Sequence, residues 1–218
     1  MMVIGVAAAA ACGGPRLAPT PAPLTTTRFG STATPATRQD ADGSAATAGL
    51  CANGRLLVGD LPGVDRSWQD GLAAATAKAL DWQPDAALNA LQVSCQLFET
   101  GFRWQATFYS RNAQAFFLSD TGDVKPAGVR AENVPLIGGE PLSFALLQRA
   151  LAKSGFEDRT SINPSTGIEV RRNSASAPFG PPDAPKGAIL YHVAIERLGE
   201  VKDVFVDGSD GKVYRYSR

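Results

Sequence analysis

The chain has few of the residues that usually carry enzyme chemistry. Its 218 residues include one histidine and three cysteines. No Gly-x-Ser-x-Gly elbow and no cysteine–histidine pairing is recognisable, so a nucleophile with its base is missing. His192 alternates with the apolar residues of a predicted strand and is interpreted as a solvent-facing side chain, not a metal ligand or a base. The sequence therefore predicts a protein that is not an enzyme, with no catalytic residue, metal site or cofactor.

An excess of charge is also missing. Lys and Arg together number 21, and so do Asp and Glu. The densest basic feature outside the termini is the pair Arg171–Arg172, which is too small to match the phosphate backbone of a nucleic acid. Nucleic acid is therefore excluded as an expected partner.

The N-terminal apolar run, from Met2 to Ala11, is about half of the ~20 residues that a bilayer-spanning helix needs. It suits the apolar region of a signal peptide. The residues Ala9-Ala10-Ala11-Cys12 resemble the lipobox of bacterial lipoproteins. The resemblance implies a signal peptide over residues 1–11, a lipid on Cys12 that holds the protein at the membrane, and an exported protein of the cell envelope. With Gly13 next, it also implies the outer membrane if the cell has two membranes. The alternative is an ordinary secretory peptide cleaved after an alanine, with Cys12 incidental.

Residues 12–50 are rich in Ala, Pro, Thr and Ser and carry few large apolar side chains. Such a segment buries too little surface to offset the entropy of ordering it. We expect a disordered tether that holds the folded part away from the membrane.

The two other cysteines, Cys51 and Cys95, are too far apart in sequence for a CxxC redox motif. An isolated pair in an exported chain most often forms a disulfide. Closing this loop would stabilise the fold by roughly 3–4 kcal/mol in the chain-entropy model. The sequence predicts a structural disulfide between them.

The rest of the chain has the same order of predicted elements twice. A helix from Ser67 to about Leu80 precedes three strand-like runs with alternating apolar residues, and a helix capped by Ser143 precedes another three. The pattern predicts an α+β fold made of two helix-plus-antiparallel-meander units, over residues 51–137 and 138–218. Asp207 to Gly211 is predicted to form a tight turn. A calcium loop is disfavoured because Arg218 stands where a bidentate Glu would be needed.

Three segments of the second unit resemble the PepSY-type unit of secreted bacterial proteins. These are Tyr191-His192-Val193, Asp203-Val204-Phe205-Val206-Asp207 and Gly211-Lys212-Val213-Tyr214. The resemblance covers about Leu142 to Tyr216. It implies a PepSY-like or cystatin-like architecture, and a role in binding or inhibiting peptidases or as an accessory protein of the envelope.

These observations predict a lipid-anchored protein that binds a protein or peptide partner. The segment Asn173–Gly187 is the candidate partner loop, because Pro178, Phe179, Pro181 and Pro182 would form a semi-rigid apolar surface. Its alternative interpretation is a spacer between strands. The alternative function is a secreted enzyme or small-ligand carrier with a cavity between sheet and helix.

Metabolic labelling with a fatty acid tests the anchor. The wild-type protein should incorporate the label and the Cys12→Ser variant should not, because the thiol is the acylated group. Label that persists in the variant, or is missing from both proteins, would refute the lipid anchor.

Overall fold

The computed structural model describes residues 50–51, 54–96, 101–197 and 199–216. All of them belong to one compact unit. The predicted signal peptide, the lipidation site Cys12 and all of the predicted tether except Leu50 lie outside these residues. No helix among the residues described is long and apolar enough to cross a membrane.

Two α-helices and ten strands make up the described fold. The helices are α1 (Leu61–Trp82) and α2 (Phe144–Lys153). The strands are β1 (Leu56–Leu57), β2 (Ala87–Gln96), β3 (Gly101–Ser110), β4 (Ala115–Leu118), β5 (Val124–Pro126), β6 (Ser161–Ile162), β7 (Ile168–Arg172), β8 (Ile189–Arg197), β9 (Glu200–Asp207) and β10 (Val213–Tyr216).

All ten strands form one antiparallel sheet. Its main order is β10–β9–β8–β7–β2–β3–β4–β5. Strand β6 pairs with β8 beyond the end of β7, on the same edge, and β1 pairs with β6. Both helices pack on one face of this sheet, which we call the inner face; the opposite face is the outer face.

The predicted fold class, α+β with two helix-plus-meander units of PepSY-like or cystatin-like architecture, is wrong. Strand β2 pairs with β7 through four residue pairs, from Ala90–Arg171 to Val93–Ile168, so the strands of both predicted units belong to one large sheet. The main buried apolar cluster draws residues from both helices and from strands on both sides of this pairing. Alternation along a strand shows which face is buried, but it does not show which strand will be the neighbour. The boundary predicted between residues 137 and 138 lies between β5 and α2 and stays a prediction.

Helix α1 begins earlier than the predicted Ser67. Pro62 stands in its first turn, where the missing N–H costs nothing. The buried side chains of α1 recur at helical spacing and face the sheet. They are Leu61, Val64, Trp68, Ala75 and Ala79.

Helix α2 is capped from two directions. Ser143 caps it as predicted, since its Oγ accepts the Leu146 N–H at 3.2 Å. Asp65 of α1 adds a second cap: its carboxylate accepts the N–H groups of Phe144 at 2.6 Å and Ala145 at 2.8 Å. A carboxylate at a helix N-terminus also interacts favourably with the helix dipole. The cap therefore joins the two helices.

Tyr191 of β8 fixes the same helix end to the sheet. Its hydroxyl oxygen accepts the Ser143 N–H at 2.7 Å. Burial raises the pKa of Tyr191 well above its ordinary value; nearby Asp65 adds to the rise, while the hydrogen bond from Ser143 opposes it. The phenol consequently stays neutral as a member of the core.

The predicted disulfide between Cys51 and Cys95 is confirmed. The sulfur atoms are bonded, and both cysteines are buried. The bond attaches the residues just before β1 to the middle of the sheet, at β2.

Gly71 in α1 provides a test of this packing. A Cβ at Gly71 would lie 2.2 Å from Cζ2 of Trp104, whose indole packs edge-on against Trp68. An alanine in a helix interior normally stabilises by about 1 kcal/mol relative to glycine. Here overpacking should cost about 1–3 kcal/mol, so we expect Gly71→Ala to lower the free energy of unfolding.

The matched control is Gly63→Ala in the same helix, where the nearest atom is a flexible Leu50 methyl at 3.1 Å. Denaturant unfolding of both variants measures the difference. If Gly71→Ala were as stable as Gly63→Ala, the close packing of Trp104 against Gly71 would be contradicted.

Candidate functional site

An open groove of about 550 Å³ runs along α1 on the inner side of the fold. We call it the α1 groove. Helix α1 forms one wall, with side chains four residues apart, each about one turn from the next. These are Trp68, Leu72, Thr76 and Leu80. The floor is formed by Leu88 at the start of β2 and Phe108 of β3, and the segment Gly138–Leu142 forms the opposite wall.

The second wall is held by main-chain contacts at its start. The N–H groups of Ile137 and Gly138 both donate to the carbonyl oxygen of Leu88, at 2.8 and 3.1 Å. Beyond them, the peptide groups of residues 139–142 make no hydrogen bond within the part of the chain that the structure describes. The groove therefore has an apolar floor and one border of unpaired main chain.

The lining of the groove carries little charge. Its side chains are mostly apolar, with Gln69 and Thr76 as neutral polar members. Glu140 is the one acidic or basic side chain among the described lining residues, and its carboxylate forms an ion pair with Arg172. The groove volume lies in the range of roughly 300–1,000 Å³ that is usual for ligand sites.

A second cluster of side chains lies on the outer face of the sheet, at β8 and β9. It contains the stacked rings of His192 and Phe205, with centroids 4.7 Å apart, and the ring of Phe179 set edge-on against both. His192 Nε2 lies 2.8 Å from Asp203 Oδ1. We call this set of four residues the outer-face cluster. His192 lies opposite the core, as expected, but the expectation that it is solvated is wrong, because only 15% of its side chain is exposed.

The candidate partner loop, Asn173–Gly187, supplies Phe179 to this cluster. Phe179 is partly buried and Pro181 is buried, whereas Pro178 and Pro182 are exposed. A Cβ at Gly180 would lie 2.7 Å from Leu190 Cδ1, so the loop is pressed onto the sheet. The predicted partner contact stays a prediction, and only Pro178 and Pro182 of the four residues are exposed for it.

Asn173 gives the loop its shape, and the sequence analysis did not single it out. Its buried side chain donates to the carbonyl oxygens of Ala184 at 3.1 Å and Pro185 at 2.9 Å. Its Oδ1 accepts the Phe179 N–H at 3.0 Å. One buried amide thus satisfies three main-chain groups across the loop, a role that the sequence signals only as an Asn after a strand.

The predicted turn at Asp207–Gly211 is confirmed. Asp207 Oδ1 accepts the N–H and the hydroxyl of Ser209, and the Gly211 N–H donates to the Asp207 carbonyl oxygen. The carboxylate is therefore used within the turn. Across the described residues, no group of three or more His, Cys, Asp or Glu is placed to hold a metal ion.

Asp120 organises a polar patch on the outer face of β3. Its carboxylate accepts Gln105 Nε2 at 2.6 Å and binds the Arg103 guanidinium. Burial alone would raise the pKa of Asp120, but the hydrogen bonds from Gln105 and Arg103 outweigh it and hold the pKa below the ordinary value of 3.8.

This lowered pKa predicts a pH dependence. Because the folded-state pKa is depressed, Asp120 stabilises the fold fully above the ordinary pKa, and this contribution is lost as the pH falls through the lowered value. We expect Asp120→Asn to be less stable than wild type at pH 6 and to approach it near pH 3. Urea unfolding at both values measures this, with the exposed Asp123→Asn as control. A deficit of equal size at both pH values would contradict the assignment.

Comparison of the chain with protein-family models, with curated proteins and with solved structures finds no match. The resemblances to bacterial lipoproteins and to PepSY-type units therefore stay predictions.

Proposed function

We propose that this is an exported, lipid-anchored protein of the cell envelope that binds a protein or peptide partner and does not catalyse a reaction. The observation that carries the proposal is the α1 groove, with its apolar floor and its border of unpaired main chain. The signal-like run before Cys12 supports export, and the disulfide between Cys51 and Cys95 is typical of an oxidising compartment.

The dimensions of the groove fit an extended peptide. From Trp68 to Leu80 the helix wall is about 18 Å long at 1.5 Å per residue. An extended chain rises about 3.3 Å per residue, so about five residues would fill this length. Each large apolar side chain buried on the floor would contribute about 1.5–3 kcal/mol, offset in part by the cost of ordering the peptide.

The border of the groove also favours a peptide over a purely apolar ligand. The unpaired C=O groups of residues 139–142, and the N–H groups of all of them but Pro141, need hydrogen-bond partners where a ligand displaces water. The main chain of an extended peptide carries such groups. An alkyl chain would leave them without partners.

The second candidate is a carrier of a small apolar ligand, favoured by the groove volume of about 550 Å³. It places the ligand in the same groove. The two candidates differ in what competes for the site, and the experiment below uses this difference.

Leu80 gives the sharpest variant for a binding test, because it lines the groove and is 43% exposed. We expect Leu80→Asp to fold normally and to weaken peptide binding by at least about tenfold, since it places a charge against an apolar ligand. Val201→Asp is the control, since Val201 is 53% exposed on β9 and does not line the groove.

The measurement is selection of a displayed random peptide library on the full-length protein, followed by affinity measurement for each variant and competition by lauric acid. Selected peptides should be apolar, and Leu80→Asp alone should weaken them. No selected peptide, or equal losses for both variants, would refute peptide binding in the groove. If lauric acid binds the protein and no peptide is selected, the carrier function is favoured.

A further inference from the structure

Arg172, the last residue of β7, contacts two segments with one guanidinium group: the chain at the start of the groove wall and the end of the loop Asn173–Gly187. Its Nε donates to the carbonyl oxygen of Leu136, and Nη2 donates to that of Ile137 at 3.3 Å, where the groove wall begins. Nη2 also binds the Glu140 carboxylate within that wall. On the other side, Nη1 donates to the carbonyl oxygen of Gly187, the last residue of the loop.

The planar guanidinium makes this arrangement stiff. Its donors form a rigid fork, so one acceptor cannot move far without breaking or dragging the contacts to the others. Only a quarter of the Arg172 side chain is exposed, and a carbonyl that loses a partly buried partner loses a charge-assisted hydrogen bond. Displacement of Gly187 should therefore shift Arg172 and weaken its hydrogen bonds to Leu136 and Ile137.

The loop connects Gly187 to the outer-face cluster. The Gly187 N–H donates to the Asn173 carbonyl oxygen at 2.7 Å, and the Asn173 side chain accepts the Phe179 N–H. Phe179 in turn packs on His192 and Phe205. A continuous set of contacts thus runs from the outer face, through Asn173 and Arg172, to the wall of the α1 groove.

We propose that the loop Asn173–Gly187 and the groove wall are one coupled element, with Arg172 as its positioning residue. Release of Phe179 from the outer-face cluster loosens the wall on the opposite face of the sheet. A partner that lifts the loop therefore changes the α1 groove, and a ligand in the groove changes the loop, since such coupling is reciprocal. The physical coupling does not depend on which ligand the groove takes.

Within the described residues, one hydrogen bond links the two segments without Arg172. The Ser176 hydroxyl donates to the Asn133 carbonyl oxygen at 3.3 Å. This hydrogen bond is exposed, and its acceptor Asn133 precedes the groove wall in the chain. We therefore assign it no part in the coupling. Ser176→Ala tests this and should leave the coupling unchanged.

Hydrogen exchange of the full-length, disulfide-bonded protein measures the coupling without any ligand. The start of the wall is reported by the amide of Gly138 and that of the preceding Ile137, and the loop by the amides of Ala184 and Gly187. The Leu118 amide, bonded to the Asp123 carbonyl oxygen, is the reference for general loosening. We expect Phe179→Ala to speed exchange at both wall and loop by at least about fivefold, the lower end of common couplings, with no change at Leu118.

The role of Arg172 is tested in a second background. Arg172→Lys keeps the charge opposite Glu140 but loses the fork, so adding Phe179→Ala to it should speed loop exchange and leave wall exchange as in Arg172→Lys alone. Arg103→Lys, a half-exposed arginine on β3, is the matched control and should still transmit the change.

Two outcomes would overturn the proposal. Wall exchange that stays within a factor of two in Phe179→Ala while the loop loosens would show that the two are not coupled. An equal response of the wall in the Arg172→Lys background would show that the coupling does not pass through Arg172. If Arg172→Lys fails to fold, the first comparison decides; if Phe179→Ala fails to fold, Phe179→Leu replaces it.

Discussion

The pairing of β2 with β7 is the constraint on which the rest of this fold depends. It joins strands that are more than 70 residues apart in the chain. The alternation of apolar and polar residues would equally allow two separate sheets, and this pairing makes them one. Gly167 marks how closely the two strands approach: its φ of +63° favours glycine, and a Cβ there would lie 2.0 Å from the Val93 carbonyl oxygen. Because both helices cover the same face of the joined sheet, they share one apolar core.

Contacts between the two halves of the chain follow from that shared sheet. Asp65 of α1 caps α2, and Tyr191 of β8 holds the same helix end, so α2 takes its cap partly from outside its own half. Arg172 of β7 fixes the connecting segment that borders the α1 groove. The groove is therefore a product of the joined fold: its helix wall and floor come from the first half, and β7 of the second half positions its other wall.

Local features of this fold were predictable, and long-range ones were not. Periodicity located both helices and most strands, and the Ser143 cap, the Asp207–Gly211 turn and the disulfide each have a short sequence signature. The start of α1 was predicted too late, at Ser67, although Pro62 already stands in the first turn of the helix. Arg172 and Leu136 are 36 residues apart and Asp65 and Phe144 are 79 apart, so nothing local marks their contacts. The groove depends on those contacts, so no local signal predicts it either. Phe179 was predicted to belong to a partner surface because the residues that cover it, His192 and Phe205, lie on other strands.

Equilibrium unfolding followed in both halves at once tests the shared sheet most directly. All three tryptophans, Trp68, Trp82 and Trp104, precede residue 138, so their fluorescence reports the first half of the oxidised protein. Pulsed hydrogen exchange of β8 and β9 across the same denaturant series reports the second half. One cooperative unit requires a single midpoint for both probes. Two separate midpoints, with β8 and β9 still protected after tryptophan fluorescence has changed or the reverse, would contradict it.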